Sequence, residues 1–204
     1  QAQELARLLG AADANARELL ATLGYFSPEI TLELRDAPAP GKDQPARIVL
    51  LTVQPGTRTH VASAGITIAG ADTPDLKRRQ AQLQRGWGLP EGEPFTQQGW
   101  DDAKAQGLRS LQTRRYPQAR IAESRADIDA DSARARLAVQ YDSGPAYRFG
   151  ALQVHGGERY DAEGARRIAR LPTGADYSET RLLDAQQRLA ASGYYDAVFL
   201  TLDT

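Results

Sequence analysis

The sequence predicts an α+β chain made of tandem copies of one small unit, each with two helices over a small three-stranded mixed sheet. Three observations carry this expectation. The phrase Leu89-Pro90-x-Gly92-x-x-Phe95-Thr96 returns without gaps as Leu171-Pro172-x-Gly174-x-x-Tyr177-Ser178. Tyr25, Tyr116 and Tyr194 share their surroundings: a Leu five residues before (Leu20, Leu111, Leu189), a small residue nine before (Ala16, Gly107, Ala185) and an apolar residue five after (Ile30, Ile121, Phe199). Between these marks, apolar periodicity follows the order strand, helix, helix, strand, strand.

The first copy opens on helical sequence. Gln1 to Leu9 reads as the remains of one helix ended near Gly10, and Ala12, Ala16, Leu19, Leu20 and Leu23 as a second that Gly24 terminates. Ile30-Thr-Leu32-Glu-Leu34 alternates as a half-buried strand does, and Arg35 to Pro45 is a Pro-rich loop. Ile48 to Val53 is almost continuously apolar, the mark of a strand covered on both faces or flanked by neighbours.

The middle copy begins with a strand at Val61 to Ile68. Asp72-Thr73-Pro74 starts its first helix, with Pro at the first helical position, and Gly86-Trp87-Gly88 ends it. Trp87 and Trp100 are expected in the core or at a domain joint, with partial exposure the alternative for Trp87 because it lies between two glycines. Thr96 caps the second helix, and Phe95 and Trp100 have the spacing of a hydrophobic staple. Tyr116-Pro117 stops that helix. A weak strand at Ala119 to Ser124, a turn over Asp127 to Ser132 and a strand ending at Tyr141 complete the unit. The third copy runs from a strand at Tyr147 to Val154, through a helix from about Tyr160, the repeated phrase and a Ser178-capped helix, to a strand over Ala197 to Leu202.

These limits give three domains: 1–57, lacking its first strand and the start of its first helix; 58–144, complete; and 145–204, lacking its last strand. Pro55-Gly56 and Gly144-Pro145 are the joints. The chain holds no Met, and the reading is of a piece of a longer polypeptide.

Composition narrows the function. With 41% hydrophobic and 25% charged residues the chain should fold and stay in solution. A net charge of −1 argues against binding dominated by nucleic-acid phosphates. No Cys is present, so thiolate metal sites, disulfides and Cys nucleophiles are excluded. Asp127, Asp129 and Asp131 alternate as in a calcium loop, but Ser132 and Ala138 stand where that loop needs Gly and Glu, leaving a solvated turn. His60 and His155 lack a second ligand at metal spacing, and no nucleophile elbow or phosphate loop occurs. The sequence therefore points to no catalytic, cofactor-binding or metal-ligating residue.

The element order, with Gly-Tyr at the end of the second helix and Gly-x-x-Phe/Tyr-Thr/Ser before it, resembles the polypeptide-transport-associated (POTRA) domain of the BamA/TamA superfamily. Asp142-Ser-Gly-Pro-x-Tyr-Arg-Phe-Gly150 and Leu183-Asp-Ala-Gln-Gln-Arg-Leu-Ala-x-Ser-Gly-Tyr-Tyr-Asp196 are most similar to its TamA branch. The resemblance implies a non-enzymatic, periplasmic string of domains ahead of an outer-membrane β-barrel. It further implies unfolded outer-membrane and autotransporter clients, and a TamB-like periplasm-spanning partner. In such domains the last strand is central and the second an edge. The candidate binding edge is therefore Arg120, Ile121, Ala122, Glu123 and Ser124, whose small and charged residues guard it against aggregation. The competing class is a rigid spacer that holds the barrel at a distance and binds nothing; an enzyme is a remote third. The incomplete end units are expected to exchange strands between chains or to stay loose over Asp196 to Thr204.

Overall fold

A computed structural model describes residues 2–38, 47–156 and 161–203. The parts of the Pro-rich loop over 39–46 and the helix start at Tyr160 lie outside the described residues. Ten elements are present: α1 (Ala2–Thr22), β1 (Glu29–Asp36), β2 (Arg47–Gln54), β3 (His60–Ile68), α2 (Pro74–Arg85), α3 (Gln97–Gln112), β4 (Arg120–Asp129), β5 (Arg134–Asp142), α4 (Ala162–Ala169) and α5 (Glu179–Ala191). β1 and β2 form an antiparallel pair running from Glu29 opposite Gln54 to Asp36 opposite Arg47. The other sheet has the order β3-β5-β4, so the last strand of the middle copy is central and β4 is an edge. His60 N–H donates to Ala133 O and Ala69 N–H to Tyr141 O, which sets β3 parallel to β5. The α+β class and the mixed three-stranded sheet are as the sequence predicts.

The chain clusters into two compact units, one of Gln1–Ile66, Leu83–Lys104 and Glu123–Val139, the other of Thr67–Gln82, Ala105–Ala122 and Gln140–Thr204. The first has a core of Val61, Ile66, Leu83, Trp87, Leu89, Phe95, Trp100, Leu137 and Val139. Trp87 is buried, with only 6% of its surface exposed, and its ring meets Trp100 edge to face at 6.2 Å. Trp87 thus takes the core place expected of it and not the partly exposed one: Gly on either side lets the backbone turn while the indole swings inward. In the second unit Leu111, Tyr116, Ala119 and Tyr141 are buried, and Ala165, Ala169, Ala185 and Leu189 form a separate cluster joining α4 to α5. The small residue nine before each tyrosine has a concrete purpose at Gly107, where a Cβ would run into the Tyr141 hydroxyl.

Caps form where the sequence places them. Thr73 Oγ1 accepts from Leu76 N–H at 3.2 Å, Thr96 Oγ1 from Gly99 N–H at 2.9 Å and Ser178 Oγ from Arg181 N–H at 3.4 Å. Asp161 caps α4 by accepting from Glu163 N–H at 3.1 Å. Asp129 holds the turn after β4 by accepting from the amides of Asp131 and Ser132, both at 3.2 Å. Phe95 packs on Phe26 (ring centroids 6.0 Å) and Tyr177 on Phe149 (5.8 Å).

Two expectations are corrected. Gly10 does not end a helix, because α1 runs unbroken from Ala2 to Thr22. Glycine inside a helix costs about 1 kcal/mol relative to Ala, and the Leu and Ala residues flanking Gly10 carry the helix across it. In the third copy, Tyr147–Val154 and Ala197–Leu202 are not ladder-forming strands; the first makes one bridge, Arg148 opposite Asp176. A strand exists only through its neighbour, and these segments line a cavity of about 150 Å³ with Ala165 and Leu189 among its other residues. Val198 and Leu200 are half-buried against the α4–α5 cluster, whereas Phe199, matched to Ile30 and Ile121 by spacing, is 84% exposed.

Candidate functional site: sheet edges and joints

The three-stranded sheet has two outer strands, and α2 treats one of them specially. Gln84 lies alongside β3; its side-chain carbonyl accepts from Ile66 N–H at 2.9 Å and its amide donates to Ala64 O at 2.7 Å. One turn earlier, Gln80 accepts from Ile68 N–H at 2.8 Å. Two glutamines at i and i+4 share a helix face, and here they supply β3 with the donor and acceptor pattern of a neighbouring strand. The outer side of β3 is thus occupied.

The β4 side is different. β4 pairs only with β5 in the sheet. Arg120, Ile121, Ala122, Glu123 and Ser124 all lie in its first half, with Ile121 half-buried and the other four exposed. Sequence reasoning singled out this stretch; it missed the glutamines that distinguish it from β3. The signal was present as two Gln on one face of a helix, yet a glutamine on a helix is ordinarily a solvated residue.

One end of β4 is tied to a joint. Asp142 Oδ2 accepts from Arg120 Nη2 at 2.6 Å, and Asp142 Oδ1 accepts from Gly144 N–H at 3.0 Å. The Gly144 amide and then the Arg120 guanidinium hold the Asp142 carboxyl below the ordinary carboxylate range. Gly144 has φ 62°, and a Cβ there would stand 3.4 Å from Gln118 Cβ. Gly56 has φ 76°, with a would-be Cβ 2.9 Å from Ser27 O, while Pro55 beside it is exposed. The glycines of the two expected joints are therefore fixed turns.

Around the expected joints, further backbone hydrogen bonds form. Thr59 N–H donates to Gly24 O (2.8 Å), Phe95 N–H to Thr59 O (2.9 Å), Val61 N–H to Glu93 O (2.9 Å) and Gly92 N–H to Val61 O (2.8 Å). Along the second joint the same four bonds return. Tyr147 N–H donates to Arg115 O (2.7 Å), Tyr177 N–H to Tyr147 O (3.0 Å), Phe149 N–H to Ala175 O (2.9 Å) and Gly174 N–H to Phe149 O (2.7 Å). The repeated Leu-Pro-x-Gly phrase is thus the loop that seats the following extended segment on the turn before Tyr25 and before Tyr116.

Arg115 occupies the place that Gly24 holds in the first joint, and it keeps the left-handed backbone, φ 73° against 94°. That geometry is costly for a side chain. The guanidinium uses its position: Nη1 is 3.4 Å from Asp75 Oδ2 and 3.9 Å from Asp176 Oδ2, and Arg148 Nε adds a 3.5 Å contact to Asp176. Burial opposes ionisation of Asp75, but the Tyr116 hydroxyl at 2.8 Å and the Arg79, Arg115 and Arg78 guanidiniums outweigh it and lower its pKa. The buried Nε of Arg115 has no hydrogen-bond partner.

No family model matches the sequence. Among solved structures, the chain is similar to the third to fifth POTRA domains of Haemophilus influenzae BamA, with 17% identity over 90% of this chain and 68% of that one and a TM-score of 0.48. It is also similar to Haemophilus ducreyi BamA lacking its first three POTRA domains, with 15% identity, 71% and 24% coverage and a TM-score of 0.36. The N-terminal domain of Omp85 from Thermosynechococcus elongatus gives 15% identity, 89% and 71% coverage and a TM-score of 0.35.

Proposed function

We propose that the chain is a periplasmic POTRA scaffold of an outer-membrane β-barrel assembly protein, with domains over 1–57, 58–144 and 145–204, and that it recruits extended polypeptides by strand addition on β4. The observation that carries the binding mode is the difference between the two outer strands. An exposed edge offers main-chain donors and acceptors that bind with little regard to sequence, and this sheet covers one edge with Gln80 and Gln84 while leaving Arg120–Ser124 uncovered. Tolerance of sequence suits unfolded outer-membrane and autotransporter clients, and a TamB-like protein is the periplasmic partner that the TamA-like phrases favour. Ile121→Pro tests the placement by deleting an edge amide. It should weaken crosslinking to an unfolded outer-membrane client while leaving the β5 amides protected from exchange. Undiminished crosslinking in the folded variant would remove β4 as the site.

The fixed turns at Gly56 and Gly144 favour the second reading, a spacer. A single rigid shape in solution scattering, with no binding of client peptides or of a TamB-like partner, would select it over recruitment.

A further inference from the structure

The turn before a tyrosine occurs three times, and in two of them it is a docked surface. Gly24, Arg115 and Gly193 precede Tyr25, Tyr116 and Tyr194, and all three have left-handed backbones, φ 94°, 73° and 74°. At the first two, the carbonyl of that residue receives the amide of a following extended segment, at Thr59 or Tyr147, which a Leu-Pro-x-Gly-x-x-Phe/Tyr loop backs. At the first, the fit is close enough that a Cβ on Gly24 would strike the Phe95 carbonyl. At the third, a Cβ on Gly193 would meet nothing within 4 Å. Gly24 is buried, whereas Gly193 is exposed and Tyr194 is 54% exposed.

We infer that Ser192-Gly193-Tyr194 is a third docking face, shaped for a protein module of the design that covers the other two. Its partner brings an extended strand whose amide donates to the Gly193 carbonyl. Behind that strand stands a Leu-Pro-x-Gly-x-x-aromatic loop whose ring packs near Tyr195, as Phe95 packs on Phe26. Arg58 lies over the Tyr25 ring at 5.7 Å, and Arg79 and Arg115 lie over Tyr116 at 5.7 and 6.0 Å. A second copy of this chain is not the occupant, because its own two strand-and-loop pairs are already seated on Gly24 and Arg115.

The first joint provides the assay. Residues 20–27 and 189–196 differ at four positions, so Thr22→Ala, Leu23→Ser, Phe26→Tyr and Ser27→Asp together write the third turn into the first joint of the full chain. If the third turn can dock a strand-and-loop module, exchange of the Thr59 amide stays within about tenfold of its original rate, with β5 still protected. Adding Gly24→Val to that chain should then speed Thr59 exchange by about a hundredfold or more. Fast Thr59 exchange in the four-substitution chain overturns the inference, whether β5 stays protected or is lost with it. So does unchanged protection after Gly24→Val, because docking would then not depend on the glycine turn.

Discussion

Asp142 joins an edge strand to a joint: one carboxylate oxygen accepts from Arg120 and the other from the Gly144 amide. Its pKa is depressed in the fold, so the contact is present above the unfolded value and is lost as pH falls through the folded one. Protection of the Gly144 amide, taken relative to its intrinsic exchange rate, should therefore fall below the ordinary carboxylate range, and Asp142→Asn should show the lowered protection already at neutral pH. A Gly144 protection factor that stays constant through that range would contradict this.

The glutamine pair on α2 yields a prediction about which edge is open. Gln80→Ala with Gln84→Ala removes the side-chain cover from β3, at about 1 kcal/mol per lost hydrogen bond. Client peptides should then crosslink to β3 as well as β4, and the protein should self-associate more readily, as uncovered edges do. Mass-spectrometric mapping of the crosslinks reads the outcome directly.

Gly107→Ala places a methyl against the Tyr141 hydroxyl and should cost about 1–3 kcal/mol in denaturant unfolding, the range for overpacking a filled core. Tyr141→Phe should recover much of that loss by removing the struck oxygen. Burial pushes the Tyr141 phenol up to about 12, so the ring stays un-ionised throughout the neutral range and the recovery should not vary with pH there.

Arg115→Gly separates backbone strain from ion pairing. It relieves a left-handed side chain, worth about 1–2 kcal/mol, and removes the contacts to Asp75 and Asp176. The expected result is a fold of similar stability with a looser second joint, seen as faster exchange of Tyr147 but not of Leu137. Added salt should loosen the original chain in the same direction and affect the variant less.

Much of the fold was legible because its signals are local. Caps at Thr73, Thr96 and Ser178 depend on neighbours in sequence, and the alternation at Leu137, Val139 and Tyr141 marks a one-sided central strand. That Arg120–Ser124 lies on an outer strand was expected from the family resemblance rather than from its own residues, and β4 is an outer strand of its sheet. What escaped were relations across distance. Nothing near Gln84 announces that it will stand beside Ala64 and Ile66, and nothing near Trp87 shows that Trp100 will cover it. The repeated phrase and the repeated tyrosine turn were each visible, but their meeting at Gly24 and Arg115 was not. The Gly-to-Arg exchange at that position hid the shared backbone geometry.

That meeting has a mechanical consequence. Phe95 and Tyr177, which seat the loops at the two joints, are each followed at once by the residue that caps a helix, Thr96 for α3 and Ser178 for α5. A pull that separates neighbouring repeats would reach the first turn of those helices before their cores. Under load, the capped ends of α3 and α5 and the first residues of β3 would therefore take the strain together.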